Sequence, residues 1–104
     1  MTVRYTPEAI RDLAEIRDYI RHTLKNPQAA ARITRGILGA CGQLKQYPRM
    51  GPALEPRLSQ PTELRYLIWE THIVFYRIGD NTVSVARILD GRQDYLRILF
   101  SDEE

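Results

Sequence analysis

Five arginines fall on or beside one stretch of the chain, Arg65, Arg77, Arg87, Arg92 and Arg97, and Tyr66, Tyr76 and Tyr95 stand among them. Guanidinium forks grip carboxylates or phosphates and tyrosine rings offer stacking faces, the combination that holds single-stranded RNA or an acidic protein segment. Taken singly, each arginine has a plainer use in a surface ion pair with Glu63, Glu70, Asp90 or Asp94. Other chemistries lack their parts. His22 and His72 are far apart in sequence and Cys41 is the single cysteine, so no metal-ligand spacing is present and neither metal nor cofactor is expected. His22 reads as a helix-end residue, His72 as a solvated turn residue, and Cys41 as a small packed one. There is no Gly-x-Gly-x-x-Gly, no P-loop and no Gly-x-Ser-x-Gly elbow. Glu8 and Asp12 read as a solvated acidic pair on a helix rather than as active-site carboxylates.

The elements that must position these arginines centre on Leu64–Leu89. Three runs rich in β-branched and aromatic residues are broken at Glu70-Thr71-His72 and at Gly79-Asp80-Asn81, which predicts an antiparallel meander. With Asp80 and Asn81 as a two-residue turn, Val74, Tyr76 and Ile78 meet Val83 and Val85 on a core face. Phe75 and Arg77 then lie with Ser84 and Ala86 on the other face. A three-residue turn would slip the pairing by one and reverse part of this assignment.

Ahead of the meander, Val3-Arg4-Tyr5 suits an added strand. Thr6-Pro7-Glu8 starts a helix reaching about His22, with Ile10, Leu13, Ala14, Ile16 and Ile20 on its apolar stripe. Asn26-Pro27 starts a second helix that Pro48 ends, and its Gly36, Gly39 and Gly42 form a smooth strip suited to close packing. Tyr47–Glu63, with four prolines, is a long loop, and Tyr95–Phe100 a short closing helix. The prediction is one α+β domain over residues 1–104. Its order is β-α-α-β-β-β with a short C-terminal helix, and the antiparallel helical hairpin packs on one face of a small antiparallel sheet. The opposite face is left bare, to be covered by water or by a partner, and its apolar content favours a partner.

Composition sets the rest. The net charge is +2 although the chain ends Asp102-Glu103-Glu104, and only Lys25 and Lys45 of the fifteen basic residues are not arginine. That bias favours an anionic partner surface. No apolar run approaches the ~20 residues of a membrane span and no signal-like start is present, so a cytoplasmic protein without membrane contact is expected.

Four stretches in order resemble the RelE/ParE superfamily of toxins from bacterial type II toxin–antitoxin systems. They are Val3–Ala9 with Asp12, Leu13 and Ile16; the Ala-rich second helix ending Leu44–Pro48 with Gly51; Ile73–Ile78; and Val85–Asp94, which is similar to the ParE branch. The resemblance covers nearly the whole chain. It implies a small toxin wrapped by the acidic, amphipathic C-terminal segment of a ParD-like antitoxin with a DNA-binding N-terminus. ParE-like members poison DNA gyrase, whereas RelE-like members cleave mRNA on the ribosome with clustered Lys, Arg and Tyr or Glu, Arg and His. A ribonuclease could draw on Arg65 and Arg87 for the phosphate and Tyr95 as a donor, but Asp90 stands where ParE-like chains often carry His, which leaves no credible base. The expectation is accordingly a gyrase-inhibiting toxin without catalysis of its own, binding partners through Phe75, Arg77, Arg87, Arg92, Tyr95 and Arg97. A ribosome-dependent endonuclease and an inactive antitoxin-binding module are the alternatives.

Overall fold

A four-stranded sheet divides the protein into three layers in a computed structural model that describes residues 1–58 and 61–100. Ser59 and Gln60, inside the loop expected over 47–63, and the acidic end 101–104 lie outside the described residues. The elements are β1 (Thr2–Tyr5), α1 (Pro7–Asp18) running on as a π-helical turn over Tyr19–Thr23, α2 (Pro27–Gly42), β2 (Arg65–Trp69), β3 (His72–Gly79), β4 (Thr82–Asp90) and α3 (Tyr95–Phe100). This is the expected α+β order.

Both long helices start as the sequence dictates. The Thr6 hydroxyl accepts from the Ala9 N–H at 3.1 Å and Asn26 accepts from Ala29 at 3.0 Å, each followed by proline at the first helical position. The sheet order is β1-β4-β3-β2, with β1 parallel to β4, so the added strand makes the sheet mixed. The β3–β4 hairpin keeps the expected register at its turn, with Gly79 opposite Thr82, Ile78 opposite Val83 and Tyr76 opposite Val85. Beyond that, a bulge leaves Ala86 unmatched, so Phe75 meets Arg87 instead of Ala86 and Val74 meets Ile88 instead of Arg87. The extra residue shifts the alternation: after Val83 and Val85 it is Ile88, not Arg87, that enters the helix-side core.

That core contains Ala9, Ile37, Cys41, Val74, Val85 and Ile88, continued by Leu44, Tyr76 and Val83. Burial pushes the Cys41 thiol up to about 11, which suits a packed and unreactive side chain. The other face is not bare. Leu54 and Leu64 from the proline-rich segment, together with Tyr95, Ile98, Leu99 and Phe100, close over Ile73, Phe75 and Leu89. Phe75 is completely buried, its ring 5.5 Å from that of Tyr95. The expectation failed because it treated the loop and the last helix as connections. Their leucines and aromatics are apolar surface that the sheet's second face removes from water.

Of the three glycines expected to form a smooth strip, only Gly36 does so: a Cβ there would run into the Trp69 indole, whereas Gly39 and Gly42 face open space. The indole is also held from above by the Arg32 guanidinium, 5.9 Å from the ring centroid. That guanidinium in turn grips Glu70 through two hydrogen bonds of 2.9 and 3.4 Å. Glu70 adopts φ 55 in the β2–β3 turn, a left-handed conformation that its pairing with Arg32 helps to hold.

Gly36→Ala is therefore expected to destabilise the fold by about 1–3 kcal/mol through overpacking, lowering Tm by several degrees in a thermal melt. Trp69→Leu in the same chain should recover part of that loss, a coupling that two independent surface changes would not show.

Candidate functional site

β1 ends at Tyr5, opposite Val85, but β4 continues to Asp90, so more than half of β4 has no strand on its outer edge. Side chains take the place of the missing strand. The Thr6 hydroxyl donates to the Ala86 carbonyl at 2.8 Å, the Asp12 carboxylate accepts from the Ile88 N–H at 2.9 Å, and the Gln93 side-chain oxygen accepts from the Asp90 N–H at 2.9 Å. Beside these contacts a groove of about 730 Å³ opens between the first helix and this edge. Its apolar walls are Ile16 and Ile20 on one side, Ile33 and Leu24 at the α2 end, and Ile88 with Ile98 on the other. Asp12, Glu15, Tyr19, Arg87, Asp90 and Arg92 supply its polar lining.

Asp12 is the chief departure from expectation. Far from solvated, it is 6% exposed and receives both Nε and Nη2 of Arg87, at 2.7 and 2.8 Å, besides the Ile88 N–H. The helical spacing holds the signal that finds it: Ala9, Asp12, Ile16 and Ile20 are separated by three or four residues and share the inward face, whereas Ile10, assigned to that stripe, is 59% exposed. His72 is the second departure. It is 8% exposed on the groove floor, with Nδ1 sealed from water and lacking a hydrogen-bond partner. Burial, its largest influence, holds the imidazole below its usual range. Asp90 and Glu70 oppose this and Arg92 reinforces it. Asp90 is held down to about 2, chiefly by the Arg92 guanidinium, whose Nη2 donates at 2.7 Å.

The sequence-derived residues do not converge. Arg87 and Arg92 line the groove, one tied to Asp12 and the other to Asp90. Arg77 stands at the opposite margin, 3.9 Å from Glu63, and Arg97 is exposed on α3. Phe75 lies beneath Tyr95, out of reach of any partner while α3 stays in place. Arg65 spends its guanidinium on the Gly51 and Arg49 carbonyls, at 2.8 and 3.2 Å. Arg65, Arg87 and Tyr95 thus belong to three separate contacts. Among the described residues no cluster of three His, Cys, Asp or Glu side chains could hold a metal ion, and no helix is long and apolar enough to cross a membrane.

A helical hairpin on a mixed sheet, with a groove along the open end of the last strand, defines a small α+β protein. Residues 3–95 match the model of the ParE toxin of the type II toxin–antitoxin system parDE, and the chain belongs to that family. Among solved structures it is similar to a chain of the chromosomal ParDE toxin–antitoxin system from P. aeruginosa, a likeness of fold at 24% identity. The TM-score is 0.72, and the match covers 86% of this chain and 95% of that one. It is also similar to a chain of the RelBE2 toxin–antitoxin complex from Mycobacterium tuberculosis, at 27% identity with TM-score 0.59 and the same coverage. No curated protein matches it.

Asp12→Ala should cost about 3 kcal/mol in urea denaturation, since it strands the partly buried Arg87 cation and the Ile88 N–H together; Asp12→Asn, which keeps an acceptor, should cost less. A second expectation concerns pH. Folding holds His72 neutral, so its contribution is complete above ~6.5, the unfolded value, and is lost as pH falls below it, because the unfolded chain then binds the extra proton. Chemical denaturation between pH 7 and 5 should show this slope in the natural chain and a flatter one in His72→Gln.

Proposed function

We propose that this ParE-family toxin arrests growth by inhibiting DNA gyrase, and that a cognate ParD-like antitoxin neutralises it by laying its C-terminal segment in the groove beside β4. The family match over residues 3–95 carries the reading. The groove supports the partner: its isoleucines offer apolar pockets to an amphipathic segment, and Arg87 and Arg92 at its polar side suit that segment's acidic residues. Arg77 and Arg97, exposed beyond the groove, extend the cationic surface available to a wrapping partner.

Non-catalytic poisoning is favoured over mRNA cleavage by the placement of the three residues that the sequence offers to a ribonuclease, Arg65, Arg87 and Tyr95. Cutting RNA through its own 2′-hydroxyl requires a base, a cation at the phosphate and a donor for the leaving oxygen at one point. Arg65 holds backbone carbonyls, Arg87 neutralises Asp12, and Tyr95 caps Phe75. A gyrase poison needs only a surface that stabilises the cleaved DNA complex.

Purified toxin should inhibit supercoiling by gyrase and accumulate cleaved DNA, while transcripts from induced cells stay intact. Ribosome-dependent cuts that vanish in Arg65→Ala would establish the endonuclease instead. Antitoxin at about 100 times its Kd should raise the unfolding free energy of the toxin by about 2.7 kcal/mol, read as a rise in Tm.

A further inference from the structure

The loop that follows α2 carries exposed side chains on a backbone that cannot move freely. Tyr47 is 63% and Met50 46% exposed, and with Pro48 and Arg49 they form a shallow, almost wholly apolar cup of about 380 Å³. Underneath, the buried Tyr76 hydroxyl donates to the Pro48 carbonyl at 2.7 Å and accepts from the Gly51 N–H at 3.0 Å. Arg65 donates to the carbonyls on either side of Met50, those of Arg49 and Gly51. Gly51 packs against the Tyr66 carbonyl and the Tyr76 hydroxyl, where no side chain fits. A loop whose only task were to join α2 to β2 would not need two side chains of the sheet to fix it. Here the ordering entropy has been surrendered on folding, so a partner meets a preformed surface.

The side chains displayed are those enriched where proteins meet: tyrosine, methionine and arginine. Charge indicates what they meet. From Tyr19 to Leu54 the chain contains no aspartate or glutamate, while Lys45 and Arg49 are exposed on this loop and the turn before it. Neither forms an ion pair among the described residues. A cup made of Tyr47, Pro48, Arg49 and Met50 has one aromatic face and an almost wholly apolar surface, which favours a protein side chain over stacked bases.

We infer that Tyr47, Arg49 and Met50 form the docking point for the toxin's protein target, which presents an apolar side chain flanked by carboxylates. This rests on the growth-arresting reading above and assigns that activity to a surface sharing no residue with the groove. The test uses the full chain carrying Tyr47→Ala with Met50→Ala, and separately Arg49→Glu, with Arg49→Lys as the conservative control. All side chains changed are exposed, so Tm and antitoxin affinity should stay within error of the natural chain. The dose needed for growth arrest should rise at least about tenfold in the first two variants and little in the third. Arrest at natural potency in both variants, or a loss confined to antitoxin affinity, would overturn the assignment. If the natural chain arrests growth without inhibiting gyrase and the variants do not arrest, the docking surface stands and the gyrase reading falls. A natural chain that leaves growth untouched removes both.

Discussion

β4 is longer than the strand that should flank it, and the carboxylate of Asp12 fills the gap. One buried side chain accepts a backbone N–H that a neighbouring strand would otherwise take and at the same time anchors the guanidinium of Arg87. Hydrogen bonds to charged groups are the stronger kind, and each partner here would be costly to leave alone in a partly dry setting. The arrangement holds α1 across the end of the sheet without sealing it, and the groove is the space that results. The bulge at Ala86 is part of the same solution, since it swings Ile88 toward the helices while Arg87 reaches Asp12 at the margin.

The second face of the sheet follows a different rule. α3 has only six residues and the described part of the proline-rich segment forms no long element, yet together they bury Phe75 as fully as the helices bury Val74 and Val85, with Ile73 and Leu89 also inside. A small domain has little apolar surface to spare, and leaving a sheet face exposed would forfeit much of what stabilises it. The surfaces proposed for partners therefore lie at the margins: the groove at the open edge of β4, and the pinned loop held by Tyr76 and Arg65. Both are places where backbone order is set by contacts underneath.

Cations are arranged in two ways. Arg87, Arg92 and Arg32 are paired with Asp12, Asp90 and Glu70, and serve to join elements or close turns. Arg97, Arg49 and Lys45 are exposed outside these pairs, and with the solvent-facing parts of Arg87 and Arg92 they make an acidic partner a reasonable complement. The same sorting keeps Arg65, Arg87 and Tyr95 at three separate contacts.

The chain alone determined every element whose signal is local: the Thr6-Pro7 and Asn26-Pro27 helix starts, the three strands, the Asp80-Asn81 turn with its register, and the short last helix. Its ordered stretches were also enough to indicate the toxin superfamily. The burial of Asp12 was written in helical spacing but masked by the habit of placing acids outside. What the tertiary structure alone decided were relations between distant segments. The parallel placement of β1, the bulge at Ala86, the burial of His72 and the covering of Phe75 each depend on which surface a segment far along the chain comes to meet. Periodicity reports which side of an element is apolar; it carries no information about what that side will pack against, because the energy of burial is non-directional and is settled only when the whole chain has closed.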